Sequence, residues 1–441
     1  HYDSVPAGTG AGDDMAGTVA LLELARHMKG QPQPKNDVVF LVSDAEEVGL
    51  IGAEAFAKQN PLYQNVKVIV NMEARGAAGP STMFETGLGN YQLIRLFQSA
   101  VPRPVADSVA YEVYKLLPND TDFSVYRRDQ LTGFNFAFTG AASRYHSPTD
   151  NPDLLDPMSL QHHGDHVFAL VPALASADLD TLKTGADASY FDVFGKTLIA
   201  WPSSWNVPAA MLGLAMIFTL FFFHSASLTR ISSAWGVATA LATPLALFAM
   251  GWMLAYPLGV WPAAHPLDHA NPLGGNLALG AGMIFAPMLL AWLASSPSEG
   301  YRADTRIVAL YAWLLAGLAA LAVSYYLPGA THAFLGPVLV FCGVALAETF
   351  AHPGRVFIYA IVAGFVAAAF FWMSYFSALQ VVFGFGNAES RLAAMAIFGL
   401  AMLPLFYAAF SNTRAFPAIG LALVALVGAT IFGAMAAPYS P

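Results

Sequence analysis

From about Trp201 to the last residue the chain is a succession of long apolar runs with few charges. No soluble globule buries that much unbroken apolar length, because so many such segments in a row would leave almost no polar surface. They suit instead a hydrocarbon layer ~30 Å thick, which a helix of ~20 residues crosses. Read this way, the region holds about eight spans. They fall near 207–225, 234–256, 276–295, 306–326, 332–350, 355–378, 391–410 and 417–437. Trp201, Trp205, Trp252, Trp261, Tyr325, Tyr326 and Tyr439 lie near span ends, where amphipathic rings favour the membrane interface. The expectation is an all-α multi-span membrane domain over 206–441, with the lipid bilayer as its partner.

Loop charges give an orientation. Loops after the first, third, fifth and seventh spans carry Arg230, Arg302, Arg306, Arg355 and Arg414, and the other loops carry only Arg391. Arginine collects on the cytoplasmic side. The residues before the first span are therefore expected outside the cytoplasm: on the periplasmic or outer face of a bacterial inner membrane, or in a eukaryotic lumen.

Up to about Lys183 the composition is ordinary, with acids, bases and turn residues throughout. The net charge of −9 comes mostly from this part, and no Lys/Arg-rich face or tail appears, which argues against nucleic acid as a partner. Cys342 is the sole cysteine, so disulfides and cysteine-based metal sites are excluded. No signal peptide is visible, and the chain opens at His1 without an initiator Met. It is read as lacking its natural N-terminus.

Val38 to Val42 (VVFLV), Val66 to Val70 (VKVIV) and Phe134 to Phe138 (FNFAF) have the pattern of buried strands. Met15 to Met28 has helical spacing, with Ala20, Leu21, Leu24 and Met28 on one stripe, and Gly49 to Lys58 reads as a second helix. Alternating strands and helices predict an α/β domain over 1–180, a mixed sheet flanked by helices, with 181–205 as a linker.

This domain concentrates metal-binding side chains in short stretches: His1-Tyr2-Asp3-Ser4 with Gly8 to Asp14 (GTGAGDD), Asp44 to Leu50 (DAEEVGL), Asn71 to Gly76 (NMEARG), Asn119 to Phe123 (NDTDF) and Arg144 to Asp150 (RYHSPTD). Imidazole and carboxylate suit Zn²⁺ without any thiolate. Two zinc ions ~3.5–4 Å apart polarise a carbonyl and activate a water. Such a site needs one carboxylate between the metals and another, free of metal, to carry the proton. Adjacent Glu46 and Glu47 can split ligand and base roles.

Taken together, HYDS, GAGDD, AEEVGLIGA, NMEARG and YHSPTDN resemble the co-catalytic di-zinc aminopeptidase family, which also holds glutamate carboxypeptidase and glutaminyl cyclase. The resemblance covers roughly residues 1–175, with the motifs in order. It implies an α/β zinc-peptidase domain with two Zn²⁺ and peptide substrates. His1 and Glu73 would hold one zinc, Glu47 and His146 the other, and Asp13 would bridge them. Glu46 would be the general base, Asp3 would orient His1, and Tyr145 would bind the carbonyl oxygen in the transition state. Asp120 and Asp122 are candidates for lining the substrate site. Asn119 to Tyr126 (NDTDFSVY), Tyr145-His146 and Tyr190 to Gly195 (YFDVFG) narrow the resemblance to the endoplasmic-reticulum metallopeptidase subgroup, whose members join this domain to a multi-span region and hold it on the lumenal side.

Alternatives share these residues. Carboxypeptidase or cyclotransferase chemistry runs on the same fold, and a degenerate domain can serve as a receptor or scaffold. Asp13-Asp14 alone would also suit a helix N-cap. Gln161 to His166 (QHHGDH) reads as a polar helix surface, and His224, His332, Glu348 and His352 as water-facing span ends.

Overall fold

The computed structural model describes residues 1–115, 119–225, 234, 237–242, 291, 304–352, 357–383 and 401–408. Two compact units divide the chain: one is built on His1–Trp205, and the other starts at Asn206.

The first unit is organised by a three-stranded mixed sheet in the order β1-β3-β2, from β1 (Val68–Ala74), β2 (Thr82–Thr86) and β3 (Thr132–Phe138). β1 runs parallel to β3 and β2 antiparallel to it. β3 is buried along its whole length, as a central strand covered on both faces must be. Alternation along the strands then sorts side chains by face. Val70, Met72, Phe134 and Phe136 enter the main core with Leu24, Leu93, Ile94, Phe97 and Leu170. Phe97 sets its ring 5.5 Å from Phe134 and 5.8 Å from Phe136. The opposite face carries Ile69, Asn71, Glu73 and Asn135, and Ile69 packs in a smaller cluster with Leu50, Phe56, Val125 and Tyr126.

The apolar face is covered by α1 (Met15–Met28), α3 (Tyr91–Ala100) and α6 (Pro157–Ser176), and the smaller cluster is formed with α2 (Ile51–Gln59) and α5 (Asp122–Arg128). α1 has the predicted bounds, and Asp14 caps it by accepting the Gly17 N–H at 3.1 Å. α4 (Ser108–Tyr114) is capped in the same way by Asp107.

Three local expectations are corrected. Val38 to Val42 forms no regular element: among the described residues no strand pairs with it, and Val39, Phe40 and Val42 stay exposed. The apolar pattern is present, but a ladder also needs a partner backbone. The stretch 181–205 is not a simple linker. Its β4 (Ala188–Val193) and β5 (Thr197–Pro202) form an antiparallel hairpin that places Tyr190 and Leu198 in the main core. Finally, His163 and His166 on α6 are fully buried rather than on a polar surface. Ser81 N donates to His162 Nδ1 at 3.0 Å, Ser81 Oγ meets His163 Nδ1 at 2.7 Å, and the Nε2 atoms of His162 and His166 reach the Arg103 carbonyl at 3.0 and 3.2 Å. Burial drives His163 and His166 down to about 3, so they stay neutral and pack against Phe138, Phe97 and Phe136.

Among the described residues, the helical segments Ser203–Phe223, Thr305–Tyr326 and Pro328–Ala351, whose greater part belongs to the second unit, are long and apolar enough to cross a membrane, and helix Ile358–Phe383 begins with an apolar stretch to Trp372. The expected spans near 234–256, 276–295, 391–410 and 417–437 lie wholly or largely outside the described residues. Small residues allow close helix contact: a Cβ at Gly364 would sit 2.6 Å from the Trp313 ring. Glu348 does not simply face water. Its carboxylate accepts the Tyr359 and Ala360 N–H groups at 3.3 and 2.9 Å, satisfying the start of the following helix. Of the arginines used for orientation, only Arg306 is among the described residues, where it pairs with Asp304.

Candidate metal centre

The sheet delivers one donor directly, because Glu73 stands near the C-terminal end of β1 on the face opposite the main core. The other donors come from loops gathered around it. His1 and Asp3 lie in the opening segment, and Asp13 in the turn before α1. Glu46 and Glu47 lie in the turn before α2, and His146 follows the short 3₁₀ turn Ala142–Arg144. The turn at Glu46-Glu47 is bracketed by left-handed residues, Ala45 (φ 59°) and Leu50 (φ 61°), and His146 is left-handed too (φ 54°). Non-glycine residues adopt this region rarely, and it recurs where surrounding structure dictates it, as around binding sites.

Asp13 stands at the middle of two donor groups, His1/Asp13/Glu73 and Asp13/Glu47/His146, each with donor atoms within 4.8 Å of one another. Its Oδ1 is 3.4 Å from His1 Nε2, and its Oδ2 is 3.1 Å from His146 Nε2. Glu73 Oε2 lies 3.6 Å from His1 Nε2, and Glu47 Oε2 lies 3.0 Å from His146 Nε2. Glu46 belongs to neither group, and its Oε2 is 3.9 Å from His1 Nε2.

Asp3 touches both sides of this arrangement. Its Oδ1 is 3.2 Å from His1 Nδ1, and its two oxygens accept the Glu46 and Glu47 N–H groups at 3.1 and 3.2 Å. Tyr145 stacks on His146 with ring centroids 3.7 Å apart, and Arg75 lies over the Tyr145 ring. Asp122, the first residue of α5, is buried and bonded to the Ser43 hydroxyl; its Oδ1 has no partner among the described residues. Its charge acts on Glu46, whereas Asp120 acts on Glu85 and Tyr114.

Asp150 carries no role in the sequence reading, yet it holds the centre closed. Its carboxylate accepts the Gly12 and Asp13 N–H groups at 2.7 and 3.2 Å, and its carbonyl accepts the Thr9 hydroxyl at 2.6 Å. Its place four residues after His146, inside the same motif, is the only local signal.

The electrostatics are those of a cation site. Burial, then the charge of Glu73, pushes Glu46 up to about 9, and burial, then Asp13, pushes Glu47 up to about 7. Burial alone would raise Asp13, but hydrogen bonds from His1 and His146 outweigh it and hold its carboxyl below the usual range. Burial alone would lower His1, but Asp13 and Glu73 raise it far more. Glu47 Oε1 is buried without a hydrogen-bond partner among the described residues. Clustered carboxylates in a low-dielectric pocket are unfavourable unless positive charge joins them. Two imidazoles and oxygen donors with no thiolate form the kind of set zinc accepts. Among the described residues, the α6 histidines enter no such group.

Comparison with known proteins agrees. Residues 1–171 match the sequence model of peptidase family M28, whose members are zinc-dependent. The mouse protein named endoplasmic reticulum metallopeptidase 1 is 35% identical over 212 residues, covering 46% of this chain and 23% of that protein. Its human namesake is 33% identical over 210 residues, 46% of this chain and 23% of that protein. A vacuolar membrane protease of Yarrowia lipolytica is 32% identical over 228 residues, 51% of this chain and 22% of that protein. The matched stretch thus spans about a quarter of the length of these relatives. No solved structure matches. Residues 1–171 thus match peptidase family M28, on a chain that continues into helices of membrane-spanning length.

Proposed function

We propose that this chain is a membrane-bound aminopeptidase that hydrolyses the first peptide bond of its substrates with two zinc ions. The observation that carries the proposal is the division of Asp13: each of its oxygens meets a different histidine, each histidine has its own glutamate, and Glu46 is left over. His1, Asp13 and Glu73 would hold one ion, and Asp13, Glu47 and His146 the other. Zinc bound there supplies Lewis acidity, polarising a carbonyl and making water a nucleophile near neutral pH.

The chain's own groups do the rest. Glu46 takes the proton of the attacking water on its carboxylate and returns it to the leaving amine. Asp3 keeps the Glu46 main chain fixed while its other contact orients the His1 ring. Tyr145 stays protonated, because burial, then the charges of Asp13 and Glu47, raises it, and its phenol donates to the oxygen that gains charge. Asp122 has an unpartnered buried carboxylate oxygen and its charge is felt at Glu46, which suits it to a free N-terminal ammonium. That selects N-terminal residues over internal bonds. The arginine bias of the loops supports a catalytic domain outside the cytoplasm.

The test is hydrolysis of aminoacyl arylamides by the full-length protein, with and without a chelator, beside N-blocked peptides of the same sequence. Chelator-sensitive release from free amines alone is expected. Release indifferent to chelator removes the zinc mechanism, and cleavage of blocked peptides removes the aminopeptidase reading.

A further inference from the structure

The face of the sheet that bears Glu73 carries a row of polar side chains from all three strands. Asn71 on β1 stands opposite Asn135 on β3, and Asn135 stands opposite Glu85 on β2. Glu73, Glu85 and Asn135 are buried. Such groups are unfavourable inside a core unless every one is bonded, and here the bonds run in one direction. Asn71 Nδ2 donates to Glu73 Oε1 at 3.0 Å and to Asn135 Oδ1 at 3.1 Å. Asn135 Nδ2 donates to Glu85 Oε2 at 3.0 Å and to Thr121 Oγ1 at 2.9 Å. Arg127 Nε pairs with Glu85 Oε1 at 2.9 Å by charge, without hydrogen-bond geometry, and ends the row.

Both hydrogens of each amide are used, so neither amide can turn over. Reversal of Asn71 would set its carbonyl against the Glu73 carboxylate, and reversal of Asn135 would set its carbonyl against Glu85. Glu73 is thereby held with Oε1 occupied and Oε2 directed toward His1.

We infer that this amide ladder sets the metal-binding posture of Glu73, with Asn71 and Asn135 as positioning residues that tie the ligand to the Glu85–Arg127 pair. The inference rests on the metal centre proposed above. A bonded partner behind a ligand commonly tunes metal affinity by ~10–100-fold.

The experiment measures zinc affinity of the full-length protein by competition with a chromophoric chelator, alongside thermal unfolding of the zinc-free form. Asn71→Ala should weaken zinc binding ~10–100-fold, and should lower the zinc-free melting temperature modestly, because Glu73 Oε1 and Asn135 Oδ1 lose their shared donor. Asn135→Asp should weaken it as well, by facing Glu85 with a like charge. Adding Glu85→Gln restores a donor opposite that acid and should bring affinity back to within ~threefold of wild type. Should Asn71→Ala not fold, the Asn135→Asp and Glu85→Gln pair decides. Wild-type affinity in a folded Asn71→Ala, or a double variant no better than Asn135→Asp, overturns the ladder. A wild-type protein that binds no zinc overturns the metal centre itself.

Discussion

His1 and Glu73, on one side of Asp13, are enclosed: their side chains are 1% and 8% exposed. Across Asp13, His146 leaves 35% of its side chain open, although Glu47 beside it is 9% exposed. The two halves share a carboxylate and a donor chemistry but not a dielectric. Charge imbalance is more unfavourable in the enclosed half, so that half would depend more on a cation bound there. The open half is the one solvent reaches, and Tyr145 sits there, stacked on His146.

Several measurements sharpen or break this contrast. The largest effect expected is on turnover: Glu46→Gln should lower kcat ~10²–10⁴-fold with zinc content unchanged, because Glu46 belongs to neither half. Loss of zinc in that variant would make Glu46 a ligand and blur the division. Next, Glu73→Ala and His146→Ala should differ in metal affinity by at least ~tenfold, the enclosed ligand being the more damaging to lose. Equal losses, read by zinc titration, would abolish the contrast.

The pH dependence of the zinc-free protein follows. Glu46 at about 9, Glu47 and Glu85 at about 7 and Asp122 at about 6 all lie above their ordinary values of 4.5 or 3.8, with burial as the leading cause. A group raised by folding gives stability that is complete below its unfolded value and lost as pH rises through its folded value. His146, raised by its hydrogen bond to Asp13, has the same sign. Asp13 has the opposite sign, with stability present above 3.8 and lost as the solution acidifies below it. The zinc-free melting temperature should therefore fall between pH 5 and 9, by ~3 °C per unit for each proton of difference, and saturating zinc should flatten the slope. A flat zinc-free profile would show that the acids are not crowded. The smallest effect concerns the turn that presents Glu47: Ala45→Gly should change stability by less than ~1 kcal/mol, whereas Ala45→Val should destabilise by more, since a β-branched residue resists φ 59°.

How much of this was legible depends on what a sequence displays. α1 was readable to the residue because both its signals are local, an apolar stripe and Asp14 at its start. β3 was readable because a strand covered on two faces has a continuous apolar run. Val38 to Val42 has the same run but no partner strand among the described residues, and partnership does not show in the segment itself. The hairpin in 181–205 was missed because its pattern is short and its burial comes from Tyr190 and Leu198 reaching a core built elsewhere. The ionisable donors declared themselves by residue type. Asn71, Asn135 and Asp150 did not, because their roles are set by atoms far along the chain, as Asp150 is by main-chain groups 137 and 138 residues away.

The Asp150 clasp also constrains when the centre comes into being. Asp13 takes its final backbone position against a residue 137 places later, and His146 joins it only through the same closure. During synthesis, the clasp on Asp13 cannot form until the 137 residues that follow it have left the ribosome and the two ends of that stretch have met. Contacts of such long sequence separation form late. A metal ion bound at this centre would thus be poorly placed to seed the fold and well placed to ratify it, because its Asp13 ligand is fixed only after the domain has closed.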